Sequence, residues 1–207
     1  IPGFLDDYAY LITGFVELYE STFDKTWLDA AGKLIDRVQS NFRDEGSLLF
    51  RYTSKAVTPL IDTPVETTDQ VIPSSNSEMA NGLYRFGVIT GNEKLQEQAL
   101  KMLSGVLVQL NEHPVVYGNW GMLLIDYLIK PIELAIVGEG YKPILKELQR
   151  LYLPGIVFYG GLDDTGLESL KGKFVPGKTL IYLCRGKSCL TPVQSVREVM
   201  KLMDEWY

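Results

Sequence analysis

The sequence predicts a mainly helical protein in which helical hairpins are followed by a small α/β module. Two observations predict it. The sequence repeats without a gap when it is shifted by 68 positions, and the helical spacing of apolar residues gives way to short compact runs at Pro131. Apolar residues are 46% of the 207, enough for a buried core. We therefore assign residues 1–130 to the hairpins and 131–207 to the module.

The internal repeat aligns caps, turn and core of two hairpins. Asp24 falls on Asn92, and both are residue types that commonly cap helix N-termini. Other matched pairs are Gly14 with Gly82, Thr22 with Thr90, Ala31 with Ala99, and Val38 with Val106. A repeated helical hairpin is the unit of an α/α toroid or a solenoid.

Apolar stripes predict helices at about 4–19, 24–42, 75–90, 92–110 and 119–129. Between the second and third of these, residues 48–52 have the length and composition of a short strand. Residues 53–72 have no helical period and form a long loop, and long loops in compact domains are often functional.

The second part has the order strand, helix, strand, strand, helix, which is typical of a small α/β module. The strands are predicted at 132–137, 156–159 and 180–184, and the helices at 141–152 and 195–206. Gly138 and Gly140 lie between the first strand and its helix. They are half of a nucleotide-binding fingerprint, although a tight turn is the more ordinary interpretation.

Charge and cysteine content limit the partners. Lys and Arg number 20 against 26 Asp and Glu, a net charge of −6, so we expect no nucleic-acid partner. No apolar run reaches the length of a membrane span, so we expect no membrane insertion. The chain begins at Ile1 without a Met or a signal peptide, from which we expect a piece of a longer protein. The two cysteines lead us to expect a reducing, cytoplasmic setting.

Cys184 and Cys189 are too few for a disulfide scaffold, and His113 is the only histidine. We expect two reduced thiols, with a disulfide or a metal site shared with another segment as the alternatives. His113 precedes Pro114 in a helix connection, where a surface or capping role is more ordinary than catalysis. No metal and no cofactor are expected.

The repeat also places two polar clusters at equivalent helix starts. Asp6, Asp7 and Tyr8 fall on Ser74, Ser75 and Asn76, so both clusters should lie on one rim. Asp, Ser and Asn are ordinary capping residues, but a cap needs only one of them. Side chains at free helix N–H groups would also bind the hydroxyls of a sugar-like ligand.

The candidate catalytic residues are Asp6 and Asp7, because carboxylates carry general acid–base and glycosidase chemistry. As neighbours on a helix they point about 100° apart. A second carboxylate would therefore come from elsewhere. The candidates for it are Glu78, Glu66, Asp69 and segments outside this chain. The candidate ligand-binding residues are Tyr8, Ser74, Ser75, Asn76, Glu78 and Trp120, the last by stacking if it does not belong to the core.

Three short motifs occur along the chain. Residues 3–9 read GFLDDYA, residues 72–77 read IPSSNS, and residues 182–192 contain Tyr182, Cys184, Cys189 and Pro192. In this order they resemble the G-F-L-D-D-Y-A, P-S-G-N-S and Y-x-C-x4-C-x2-P motifs of a thioredoxin-domain-containing family related to spermatogenesis-associated protein 20. Ser75 stands where glycine is usual in that family.

The resemblance implies an N-terminal thioredoxin-like domain, absent from this chain, and an (α/α)6 toroid similar to N-acylglucosamine 2-epimerases and six-hairpin glycosidases. This chain would be the last, partial portion of the toroid and its C-terminal module. Two functions then compete: binding or modifying a carbohydrate-like ligand at the toroid mouth, or a non-catalytic scaffold for the redox domain.

We also expect the chain alone to form a non-biological homodimer through its first or second helix. These helices carry more large apolar side chains than one narrow buried stripe can hold, namely Phe4, Phe15, Tyr19, Trp27 and Phe42.

Overall fold

The structure is a computed structural model that describes residues 3–58, 64–186 and 188–206, with Trp206 described by its backbone only. Residues 59–63 of the predicted loop lie outside this description. The helices are α1 (Leu5–Thr22), α2 (Lys25–Asn41), α3 (Ser75–Thr90), α4 (Glu93–Ser104), α5 (Leu107–Glu112), α6 (Gly118–Ile129), α7 (Tyr141–Leu148) and α8 (Val196–Trp206). The strands are β1 (Ile132–Val137), β2 (Ile156–Gly161), β3 (Leu180–Arg185) and β4 (Ser188–Cys189). The predicted order, mainly helical with a small sheet at the C-terminal end, is confirmed within these residues.

The two hairpins α1–α2 and α3–α4 agree with the repeat at their ends. Asp24 and Asn92 are the N-caps of α2 and α4, and each side chain accepts a hydrogen bond from a backbone N–H of its helix. Phe23 and Gly91 end α1 and α3 with φ of 56° and 75°. A left-handed residue at this position stops a helix and turns the chain, so both hairpins turn alike.

Helices α1 and α3 run parallel. Near their starts the Tyr10 hydroxyl donates to the Pro73 carbonyl over 2.9 Å, and near their ends Arg85 pairs with Glu20. Even a Cβ at Gly82 would be crowded, because it would lie 3.1 Å from Thr13. This close approach brings the two helices into one layer.

Helix α6 continues the same layer beside α3. The Asn81 amide donates to the Asn119 carbonyl at the start of α6, and the Tyr84 hydroxyl donates to the Asp126 carbonyl farther along. Contacts therefore advance together along both helices, which is the pattern of parallel neighbours. Helices α1, α3 and α6 consequently all begin at one rim of the layer.

Two predictions for the first part of the chain need correction. Residues 48–52 form no strand. Phe50 makes a single bridge to Arg43, and the backbone of Tyr52 bonds to Leu5 and Pro64 in two other segments. The fourth helix ends at Ser104, not near residue 110. Gly105 begins a turn there, and the separate helix α5 comes next.

The sheet has the order β2-β1-β3-β4. Strands β1 and β2 are parallel and are joined by α7, whereas β3 is antiparallel to β1 and to β4. All six residues of β1 are buried, as expected for a central strand. The core is continuous between the helical layer and the sheet, and the division at residues 130 and 131 stays a prediction.

The prediction of reduced thiols is wrong, because Cys184 and Cys189 form a disulfide. The physical reason is the hairpin between β3 and β4, which sets the two residues directly opposite each other. Their spacing along the sequence does not fit a C-x-x-C site. Antiparallel pairing nevertheless brings their Cα atoms to 4.0 Å.

The glycine pair after β1 forms a tight turn. Gly138 has a φ of 129°, and a Cβ there would lie 2.3 Å from the Lys178 carbonyl oxygen. The Gly140 N–H donates to the Thr179 hydroxyl over 2.8 Å. The turn is thus filled by neighbouring backbone, which leaves no cradle for a phosphate.

The aromatic residues on α1 and α2 mostly pack inside the chain. Tyr19 and Phe42 are buried, and Phe15 stacks on Trp27 with centroids 5.7 Å apart. Of the five large aromatic residues predicted to exceed one stripe, Phe4 stays exposed, at 43%. The large apolar side chains that stay exposed on α1 and at its N-cap are those of Phe4, Leu11 and Leu18. No helix within the described residues has the length and apolar character required to cross a membrane.

Candidate functional site

The N-terminal rim of α1, α3 and α6 holds most of the predicted site residues. Asp6 and Ser74 line one cleft of about 180 Å³, together with Glu66, Thr68, Gln70 and the apolar residues 71–73. We call this the loop cleft, because the segment 64–73 forms one of its walls. Asp6 and Ser74, one residue from each of the two predicted helix starts, thus line the same cleft.

The two neighbouring aspartates point to different partners. Asp7 accepts a hydrogen bond from the Phe4 N–H over 2.8 Å and so caps its own helix. Asp6 accepts one from the Tyr52 hydroxyl over 3.0 Å and faces the loop cleft. Of the two candidate catalytic residues, Asp6 is the one whose carboxylate lines a cavity.

Asn76 is fully buried and holds the loop to the rim. Its side-chain oxygen accepts from the Phe50 N–H over 2.8 Å, and its amide donates to the carbonyls of Phe50 and Glu66, each over 2.9 Å. Ser75 is also fully buried, and its hydroxyl has no partner among the described residues. These two side chains support the site from inside.

Asp69 joins the starts of α3 and α6. One carboxylate oxygen accepts from the Ser74 N–H and the Ser77 hydroxyl, each over 2.9 Å, and the other accepts from the Asn119 N–H over 2.8 Å. A carboxylate at two helix N-termini is favourably placed, because both helix dipoles present their positive ends to it. Asp69 thus connects the starts of α3 and α6 at the rim.

Glu78 lies on a second cleft of about 190 Å³ between α1, α3 and α6, also lined by Asn81, Arg85 and Asp126. The Asn119 amide donates to Glu78 over 3.2 Å. The other two predicted residues lie elsewhere. Trp120 is buried in the core and donates to the Thr67 carbonyl over 2.9 Å, and the Tyr8 hydroxyl accepts from Arg37 over 3.0 Å.

Two tyrosines that the sequence prediction missed flank the loop cleft. Burial raises the pKa of Tyr10 to about 12, with further contributions from Glu78, Asp6, Asp69 and Glu66. The four-residue spacing of Asp6 and Tyr10 on α1 was the available signal, since it puts both on one helix face.

Tyr52, like Tyr10, is partly buried next to carboxylates of the rim. Burial raises the pKa of Tyr52 to about 12, and the hydrogen bond to Asp6 and the charges of Asp6, Glu66 and Asp7 add to the rise. Both phenols therefore remain protonated donors at neutral pH. The charges of Asp6 and Glu66 contribute to the rise in both pKa values, and both residues line the loop cleft.

Comparison with known proteins identifies distant relatives of the whole chain. Spermatogenesis-associated protein 20 is 24% identical in the rat over 98% of this chain, and 24% identical in human over 97%. An uncharacterised protein of Caenorhabditis elegans is 25% identical over 100% of the chain. No family model matches.

The chain is thus a distant homologue of spermatogenesis-associated protein 20 over nearly its whole length, as the motifs indicated. It spans only 27% of the length of the rat and human proteins. The names of these relatives state no reaction, so the function of the chain is not established by them.

Proposed function

We propose that the loop cleft binds a neutral, carbohydrate-like small molecule through its carboxylate and hydroxyl groups. The observation that carries the proposal is that Asp6 and Glu66 line the same cleft with Thr68, Gln70 and Ser74. Carboxylates, amides and hydroxyls are the groups that accept and donate hydrogen bonds to vicinal hydroxyls. The volume of about 180 Å³ suits a single sugar ring.

The charges of the cleft favour a neutral ligand with many hydroxyl donors. Asp6 and Glu66 are acceptors when ionised, and the phenols of Tyr10 and Tyr52 are bound to protein oxygens. An anionic ligand would be repelled by the carboxylates. A hydrogen bond to a charged group contributes about 1.5–3 kcal/mol, whereas a bond between neutral groups contributes about 1 kcal/mol.

Asp6 and Glu66 are the pair proposed for acid–base work on a bound hydroxyl. We leave Asp7 out of the proposed pair, because its carboxylate accepts a hydrogen bond from the Phe4 N–H at the start of its own helix. Asp6 keeps its predicted role, and its partner is one of the carboxylates that the sequence offered for it. The (α/α)6 toroid remains part of this proposal, supported by the parallel order of α1, α3 and α6.

Calorimetric titration of the chain with a panel of neutral sugars and cyclitols tests the proposal. We expect saturable binding of at least one of them. Asp6→Asn and Glu66→Gln should each weaken it by about tenfold, equal to a loss of about 1.4 kcal/mol. Glu97→Gln changes an exposed carboxylate on α4 and should leave the affinity unchanged. No binding across the panel, or equal affinity in all variants, would contradict the proposal.

A second candidate function is a scaffold without chemistry of its own. It is favoured by the fact that Asn76, Asp69 and Trp120 all hold the loop segment in place by hydrogen bonds. A rim built to fix a loop would present that loop to a neighbouring domain. In this case the sugar panel gives no binding, and substitutions on the exposed part of the loop, such as Val71→Glu, weaken association with the rest of the parent protein.

A further inference from the structure

A larger cavity of about 350 Å³ lies on the far side of the molecule from the rim, where the end of α3 meets the sheet. We call it the disulfide cavity, because Cys184 and Cys189 both line it. Its other walls include Glu133, Tyr159, Lys173 and Lys130. None of these residues belongs to the loop cleft, so a role for this cavity is independent of the proposed function.

The two cysteines of the disulfide differ in their exposure to solvent. Cys184 lies in β3 and is 1% exposed, whereas Cys189 lies in the short strand β4 and is exposed. An attacking thiolate from solvent therefore reaches the sulfur of Cys189. The sulfur that leaves is that of Cys184, on the buried side.

A buried glutamate lies opposite Cys184 on the neighbouring strand β1. Glu133 is the residue of β1 directly opposite Cys184, so the two side chains lie on the same face of the sheet. The Tyr159 hydroxyl donates to Glu133 over 2.7 Å, and the backbone of Gly186, in the turn between the two cysteines, also bonds to it. Glu133 thus lies against Gly186, which follows β3 on the way to Cys189.

The backbone of Lys130 is unusual at the same place. Lys130 has a φ of 54° directly before Pro131, and its side chain lies 3.3 Å from where a Cβ would stand on Gly186. Left-handed non-glycine residues are uncommon and tend to occur at functional sites. The disulfide turn therefore packs against a strained junction between α6 and β1.

We propose that Cys184–Cys189 is an exchangeable redox disulfide, opened by a dithiol reductant at Cys189, with Glu133 transferring a proton to Cys184. Burial raises the pKa of Glu133, although the Tyr159 hydroxyl, Lys173 and the Gly186 backbone act in the opposite direction. A carboxyl that keeps its proton at a higher pH is suited to protonate a leaving thiolate.

The exchange conserves electrons and protons. One thiolate of the reductant attacks the Cys189 sulfur and forms a mixed disulfide, while the electron pair of the broken bond stays on the Cys184 sulfur. That sulfur takes the proton of Glu133, which regains one from solvent. The second thiol of the reductant then loses its proton and attacks the reductant's other sulfur, the one bound to Cys189. This step closes the reductant's own disulfide and releases Cys189 as a thiolate, which takes a proton from water. The protein gains two electrons and two protons, and the dithiol loses both.

The pH dependence should involve every charged group around Glu133. Tyr159 on β2 and Lys173 act on it directly, and Tyr84 on α3 is within its electrostatic reach. Lys130, Glu168 and Glu93 line other parts of the cavity. After correction for the thiolate fraction of the reductant, the opening rate should fall as the pH rises through the pKa of Glu133.

The proposal is tested by the rate at which dithiothreitol opens the disulfide in the native chain, measured by alkylation and mass spectrometry. Glu133→Gln should slow the opening by at least about tenfold and remove the corrected pH dependence. Glu139→Gln, an exposed carboxylate beside α7, should change neither. Reduction that requires denaturant, or equal rates in all three proteins, would overturn the proposal.

Single-cysteine variants keep the test valid even if Glu133→Gln fails to fold. In Cys184→Ser, the exposed Cys189 should form a mixed disulfide with oxidised glutathione within the native fold and release one molecule of reduced glutathione. In Cys189→Ser, the buried Cys184 should not react until the protein is unfolded. Equal reactivity of the two cysteines, or no reaction of either in the native state, would contradict the assigned direction of attack.

Discussion

Arg85 and Glu20 form a two-point ion pair that ties the helical layer to the sheet. The Arg85 Nε and one terminal nitrogen bind the two oxygens of Glu20, the second contact being 2.9 Å. Arg85 also donates to the Ile156 carbonyl over 3.1 Å, and Glu20 accepts from the Phe158 N–H over 2.9 Å. One pair thus joins α1, α3 and β2.

Breaking this pair should strongly destabilise the fold. Arg85→Met leaves the Glu20 carboxylate buried without its partner, and we expect a loss of about 3–5 kcal/mol in the free energy of unfolding. The double variant Glu20→Leu with Arg85→Met should lose less than the single variants do together. Lys25→Gln removes an exposed pair with Asp29 and should cost below about 1 kcal/mol. Urea unfolding measures all of these variants, and additive losses would contradict the coupling.

Asn76→Ala should loosen the loop on one wall of the loop cleft. The substitution removes three hydrogen bonds and leaves the buried Phe50 N–H without an acceptor. An unsatisfied buried group costs about 1–3 kcal/mol. We expect a loss of this size in unfolding free energy and faster hydrogen exchange of the Phe50 amide. Unchanged exchange at Phe50 would show that Asn76 does not hold the loop.

Ser75→Ala is expected to be neutral or slightly stabilising. The hydroxyl of Ser75 is buried and has no partner among the described residues, so removing it relieves a desolvation cost of up to about 1 kcal/mol. Thermal unfolding compared with the wild type measures the effect. A fall in stability above this size would mean that Ser75 is hydrogen-bonded in solution.

The stability of the fold should carry the pH signature of Glu133. Its pKa is raised in the folded chain, so the unfolded chain loses this proton first as the pH rises. The associated stability is complete below the ordinary pKa of a glutamic acid and is lost as the pH rises through the folded pKa. Urea unfolding from about pH 4 upward should show this decline in the wild type and not in Glu133→Gln. Parallel curves for the two proteins would contradict it.

Self-association of the isolated chain stays a prediction, with its contact now assigned to α1. Phe4, Leu11 and Leu18 are between 42% and 51% exposed, and burying apolar surface contributes about 25 cal/mol per Å². Light scattering should detect a dimer that Leu11→Glu dissociates. Leu151→Glu introduces the same charge at another exposed leucine, 41% exposed, and should not. A monomer at high concentration would refute the prediction.

The N-caps of α2 and α4 and the limits of α3 could be predicted from the sequence because they depend on nearby residues. Asp24 and Asn92 bind backbone groups two or three residues away, and helix α3 has the predicted limits. The prediction of a strand at 48–52 was wrong because a strand requires a neighbouring strand to pair with. The residues of the segment alone do not indicate whether such a neighbour exists.

The site was only partly predictable for the same reason. Asp6 and Ser74 could be placed together because the repeat relates them. Glu66 reaches the cleft, and Tyr52 reaches the carboxylate of Asp6, through the path of a loop that has no repeat. The Cys184–Cys189 bond was missed because the pairing depends on where the β3–β4 hairpin turns, not on a spacing motif.

The most direct test of the central claim, a ligand site between Asp6 and Glu66, is amide shift mapping on the ¹⁵N-labelled chain. A neutral sugar or cyclitol that binds in calorimetry is titrated, and the perturbed amides are assigned. We predict that the largest shifts fall on Asp6, Glu66, Thr68, Gln70 and Ser74, and that Asp6→Asn reduces them. Saturable shifts confined to another surface, or no shifts with any sugar of the panel, would contradict the claim.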